Sequence, residues 1–158
     1  MKFHHRVLLL AVFVILTTAC AASAPASTAP TAVPDWQTYA NSEAGFSIRY
    51  PSTWKMDTLP DQNSGLLHAV SLKGAEGGVE IHWGVGLGGA CPEGFQTIKA
   101  AQGELPACYV KSPDGTEHWE NINKALANTG FSARAFTADS APTSHEVVLK
   151  VISTLSFP

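Results

Sequence analysis

Three cysteines carry the most specific chemistry in this chain: Cys20, Cys91 and Cys108. Cys20 closes the run Leu16-Thr17-Thr18-Ala19-Cys20, behind an apolar stretch from Val7 to Leu16 and the cations Lys2 and Arg6. A positive start, a short apolar run, a small residue and then a cysteine is the layout of a lipoprotein export signal. The apolar run is too short to span a membrane, which takes about 20 apolar residues. Residues 1–19 are therefore expected to be a signal peptide, with Cys20 the lipidated first residue of the mature chain. Thr17 departs from the leucine commonest at its position. Ala22-Ser23-Ala24 offers a rival secretory cut, which Pro25 directly after it disfavours. Cys91 and Cys108 remain as an even pair in an oxidising compartment and are expected to form a disulfide. Closing the 16 residues between them stabilises by roughly 3 kcal/mol on the chain-entropy model.

Gly84-Val85-Gly86-Leu87-Gly88-Gly89 matches the G-x-G-x-x-G pattern and follows an expected strand. In a dinucleotide site such a loop must open a helix inside a βαβ unit. Here Ala90-Cys91-Pro92 follows and no second βα unit is visible. The loop is read instead as a glycine-permitted connection that forms, with Trp83, a binding surface. No cofactor is expected. Glu80 and His82 share one face of a strand and are candidates for a metal. The mature histidines show no ligand spacing such as H-x-x-x-H, so a solvated sheet face is the simpler account. No G-x-S-x-G elbow or other local pattern selects a nucleophile, and the chain is not expected to be an enzyme.

These residues need elements to position them. Gly45 to Tyr50, Leu66 to Leu72 and Gly78 to Trp83 read as strands, with Ala107 to Val110 and Phe131 to Thr137 as weaker ones. In Gly78 to Trp83, Val79, Ile81 and Trp83 face one way while Glu80 and His82 face the other. Val147, Val148, Val151, Ile152 and Leu155 form one stripe of an α-helix, with Thr143 and Glu146 spaced as a capping box. Residues 116–128 fit either a helix or a strand and turn. Residues 21–34 are Ala, Ser, Thr and Pro apart from Val33. Too apolar-poor to offset the entropy of folding, residues 20–34 are read as the lipidated Cys and its tether, whose residues 21–34 reach roughly 43 Å if extended. Residues 35–158 are the globular part. Removing the signal leaves eight basic against 13 acidic residues, a net charge of −5, which argues against nucleic acid as a partner.

Gly45-Phe46-Ser47-Ile48-Arg49-Tyr50-Pro51-Ser52-Thr53-Trp54 resembles the opening of PsbP-like domains, and Val151-Ile152-Ser153-Thr154-Leu155-Ser156-Phe157 resembles their ending. The two stretches cover about 17 residues at the edges of the globular part. Strands with a few helices and no regular βα alternation suggest α+β, an antiparallel sheet covered by helix, and the resemblance implies an α-β-α sandwich around that sheet. It also implies protein binding or assembly and no catalysis. The expectation is thus a membrane-anchored, extracytoplasmic lipoprotein with a non-catalytic binding domain for another envelope protein or a small ligand. Its lipid would sit in the outer membrane or the outer face of the cytoplasmic membrane. The alternatives are a metal-binding envelope protein using Glu80 and His82, and an extracytoplasmic hydrolase.

Overall fold

The computed structural model describes residues 35–62, 67–91, 94–126 and 129–158. The expected signal peptide, Cys20 and tether lie outside the described residues. Among the described residues no helix is long and apolar enough to cross a membrane. The elements run β1 (Trp36–Asn41), β2 (Phe46–Pro51), β3 (Lys55–Gln62), β4 (Leu67–Lys73), β5 (Gly77–Gly84), β6 (Gln96–Ala100), β7 (Gly103–Lys111), β8 (Glu117–Ala125), β9 (Gly130–Thr137) and α1 (Pro142–Ser153). All strand pairing is antiparallel. β1 and β2 form one sheet, and the other seven strands a second in the order β3-β4-β5-β9-β8-β7-β6.

The period-2 alternation gives the large sheet one apolar face. Val70, Ile81, Ala133 and Ile122 stand in one row across four strands. Leu72, Val79, Ala135, Trp119 and Tyr109 form the next row. This face is buried by α1, through Val148, Val151 and Ile152, and by the β1–β2 hairpin, through Phe46, Ile48 and Tyr50. The opposite face carries Ser71, Glu80 and Arg134 in one row and Ala69, His82, Ser132 and Asn123 in another.

The expected α+β fold, an antiparallel sheet covered by helices as an α-β-α sandwich, is corrected here. Strands make up 58% of the described residues and the single helix 10%. The reason lies in the residues. Of the two segments whose apolar residues fit a helical spacing, only Pro142–Ser153 forms a helix, and Trp119 and Ile122 of the other are buried on strand β8. The second cover of the apolar face is a β-hairpin, and among the described residues no helix lies on the sheet's other, polar face. Residues 116–128 are β8 up to Ala125. β1, β3 and β6 were not expected; β3 and β6 are edge strands with mostly exposed side chains and weak alternation. The capping box does not form, because α1 begins at Pro142 with Ala141 as N-cap and no side-chain cap bond. Pro at the first helical position supplies the start signal instead.

The two segments with the family resemblance meet in space. Ser47 and Ser156 exchange backbone hydrogen bonds at 2.9 Å. The Thr154 hydroxyl accepts from the Arg49 N–H at 2.8 Å. Phe131 contacts Phe46 from β2 and Phe157 from the chain end, with centroids 5.1 and 4.9 Å apart and edge-on geometry. Phe131→Ala is therefore expected to cost about 3–5 kcal/mol, read as a lowered midpoint in urea unfolding, because it removes the ring that joins both ends of the chain to the sheet.

Candidate functional site

The glycine loop leaves β5 at Trp83 and Gly84 and reaches Cys91. Gly84 still belongs to the sheet, opposite Leu67 and Gly130. Gly86 and Gly88 lie in the exposed connection, where a Cβ would meet nothing within 4 Å. Gly86 has φ +85°, a left-handed backbone that glycine adopts without strain. Gly89 is constrained differently: a Cβ there would come within 2.4 Å of the Asn121 side chain. Asn121 sits in the β8 bulge between Trp119 and Ile122 at φ +53°. Its amide donates to the Ala90 carbonyl at 3.3 Å. Cys91 and Cys108 form a disulfide with Cα atoms 5.5 Å apart. The loop is thus exposed in the middle and fastened at its far end to β7 and β8.

Trp83 is half-buried at the loop's near end. The His68 ring stacks on it at 5.6 Å, and Phe46 meets it at 5.6 Å in a tilted arrangement. His68 in turn bonds Asp61 at 2.7 Å. Trp83 therefore anchors the start of the loop by packing.

Glu80 and His82 do face the same way, as the alternation requires. Glu80 is buried, and Arg134 grips it through Nε at 2.6 Å and a terminal nitrogen at 2.5 Å. Lys73 adds a cation at 3.5 Å, and His82 lies 3.8 Å away. Burial pushes the Glu80 carboxyl upward, but the Arg134 hydrogen bond and charge, with Lys73, outweigh it and leave it below its ordinary value. Arginine and lysine occupy the carboxylate that a metal would need. Among the described residues no group of three His, Cys, Asp or Glu side chains is placed to hold a metal ion.

A second buried carboxylate was missed from the sequence. Glu117 on β8 accepts from the Tyr109 hydroxyl at 2.6 Å and pairs with Nδ1 of His145 on α1. Lys111 lies 3.6 Å from the carboxylate, and the backbone N–H of Glu117 donates to the Thr137 hydroxyl at 2.9 Å. Burial again pushes the carboxyl up, and the Tyr109 and His145 hydrogen bonds with the His145 and Lys111 charges bring it below its ordinary value. The same hydrogen bond holds the Tyr109 hydroxyl above its usual range, so it stays protonated. Ser112-Pro113-Asp114-Gly115 is a turn signal that could have found this group. A hairpin about it sets Lys111 against Glu117 and Tyr109 against Trp119. His145, from a distant helix, could not be read this way.

Glu117 orients the His145 imidazole, which is one part of a base-assisted nucleophile. Among the described residues no hydrogen bond joins His145 to a Ser, Thr or Cys. The Ser153 hydroxyl, about two turns along α1, donates to the Lys150 carbonyl at 2.7 Å.

No family model matches the chain, and no curated protein matches it. It is similar to a solved structure from Bacteroides thetaiotaomicron VPI-5482, at 14% identity and a TM-score of 0.44. The match covers 77% of this chain and 48% of that one, so the chain spans about half the length of that structure.

Two outcomes follow from this geometry. Both glutamates titrate lower in the folded chain than the ordinary 4.5. Their stabilisation is thus fully present above that pH and is lost as pH falls through the folded values. Urea midpoints should fall on acidification below about pH 4.3, and the Glu80→Gln, Glu117→Gln double variant should show a flatter profile. Replacing the disulfide by Cys91→Ser and Cys108→Ser should lower unfolding free energy by about 3 kcal/mol.

Proposed function

We propose that this chain is a membrane-anchored lipoprotein whose globular part is a non-catalytic binding or assembly module, presenting the Gly84–Cys91 loop to a partner. One observation carries the reading: the loop is exposed in its middle and fastened at both ends. Trp83 packs one end against Phe46 and His68, and the disulfide and Asn121 hold the other. An anchored loop loses less conformational freedom on binding than a free one, which favours affinity. The electrostatics agree with a module that binds without turning over a substrate. Glu80 and Glu117 are each committed to cationic neighbours and held below their ordinary range, so neither is a base poised near neutral pH.

The anchor follows from the apolar run, Cys20 and the polar tether, and displays the module outside the cytoplasm. Another envelope protein is the expected partner; the domain's acidic balance does not suit nucleic acid.

The test is native mass spectrometry of the chain extracted from its own membranes in mild detergent. A mass from Cys20 onward plus acyl chains, with a bound protein, supports the reading. An unlipidated chain starting after Cys20 overturns the anchor. Gly86→Val is expected to weaken capture of that protein about tenfold while the chain still unfolds cooperatively in urea at a somewhat lower midpoint, because a β-branched residue is strained at φ +85°, and unchanged capture would remove the loop from the interface.

A further inference from the structure

The Cys91–Cys108 bond stands outside the core it borders. Alternation along β7 turns Ala107 and Tyr109 to the apolar face, and Cys108 between them to the polar one. β7 is already held on both sides, by ladders to β6 and β8. The bond therefore adds nothing to sheet pairing; it ties the glycine loop to the sheet's polar face. Apart from it, the far end of the loop has Leu87 beside Gly130 and Asn121 beside Gly89 and Ala90. The Asn121 bond to the Ala90 carbonyl is long, at 3.3 Å, and exposed. Around Gly86 and Gly88 there is open space. The order of the loop at this end thus hangs on one covalent bond.

The two sulfurs are unequal. Cys108 is 5% exposed. Cys91 is only half-buried, and Gly88, Gly89 and Ala90 before it are exposed. An attacking thiolate therefore reaches Cys91 first. The sulfur displaced is then Cys108 Sγ, to which the Asn121 amide donates at 3.7 Å. That N–H meets the negative charge as it departs. Glu120 stands opposite Cys108 on β8, so the thiolate is short-lived and ends as a buried thiol. The large apolar side chains exposed among the described residues are Met56, Val85, Phe95 and Val110. Val85 is on the loop. Phe95 follows Gly94, whose carbonyl lies 2.9 Å from Cys91 Sγ, and Val110 shares Cys108's face of β7. All but Met56 thus lie on the loop or beside its bond, and exposed apolar surface of this kind marks a protein contact.

We propose that Cys91–Cys108 is a reducible clamp, opened by a protein dithiol that docks beside Phe95 and Val110, and that opening it releases the glycine loop. In the first step a thiolate of the reductase bonds to Cys91 Sγ and the Cys91–Cys108 bond breaks. Its electron pair leaves on Cys108 Sγ, which takes up a proton. In the second step the other thiolate of the reductase attacks the reductase sulfur of this mixed disulfide and expels Cys91, which is protonated in turn. The clamp gains two electrons and two protons, and the dithiol becomes a disulfide. The inference rests on the reading of the loop as the presented surface, and adds regulation of that same surface.

The probe is thioredoxin acting on the full chain in mild detergent at neutral pH. A thioredoxin whose second cysteine is replaced by serine stops at the first step, and peptide mass mapping is expected to find it on Cys91. Intact thioredoxin should reduce the bond while the far-UV circular dichroism spectrum stays unchanged. Chymotrypsin should then cut after Leu87 or Phe95 about tenfold faster than in the oxidised chain. The Cys91→Ser, Cys108→Ser double variant should be cut at that faster rate with or without thioredoxin. A bond that yields only after unfolding in urea overturns the proposal. So does trapping on Cys108, loss of the sheet's spectrum on reduction, or cutting that is no faster afterwards. Capture of the membrane partner should fall about tenfold on reduction. Reduction with faster cutting but unchanged capture leaves the clamp standing and takes the loop out of the interface.

Discussion

The need to bury one apolar sheet face governs the rest of this structure. Seven strands at about 4.8 Å spacing span roughly 29 Å, and a helix with its side chains is about 10 Å wide. One helix cannot cover that face. The β1–β2 hairpin supplies a second cover, and Phe46, Phe131 and Phe157 join hairpin, sheet and chain end. The backbone exchange between Ser47 and Ser156 locks the first and last parts of the domain together. The fold thus closes on a contact of high sequence separation.

The same width mismatch accounts for what is left open. Two covers about 10 Å wide fall short of the sheet's span. On one edge Met56 of β3 stays exposed, and on the other the groove beside β6 runs down to Trp119. The glycine loop is a different kind of opening. It is exposed because it leaves the end of β5, and it is held in place because Asn121 and the disulfide catch it as it passes the β8 bulge.

The two buried carboxylates follow one rule on opposite faces of the sheet. Each is removed from water and each is given cations and hydrogen-bond donors in return. Glu80 has Arg134 and Lys73; Glu117 has Tyr109, Lys111 and His145. Such pairs are costly to break, because loss of one partner leaves a buried charge. They pin β5 to β9, and β8 to both β7 and α1. That is a structural use of charge.

By itself the sequence determined the local elements whose side chains alternate between core and solvent. β2, β5 and β9 were legible because one face of each is buried, and α1 because its stripe repeats at helical spacing. Cys91 and Cys108 were legible as a pair, since few cysteines leave few partners. The helix-covered sandwich failed because its second helical layer came from a family resemblance, while the ambiguous segment 116–128 supplied strand β8 and no helix. β3 and β6 were hidden because exposed edge strands carry little alternation. Tertiary structure alone decided that Arg134, 54 positions away, would neutralise Glu80, and that His145 of α1 would reach Glu117. It alone left an apolar groove between β6 and α1. Periodicity records which way a side chain points; which distant side chain it meets depends on how the strands are ordered across the sheet.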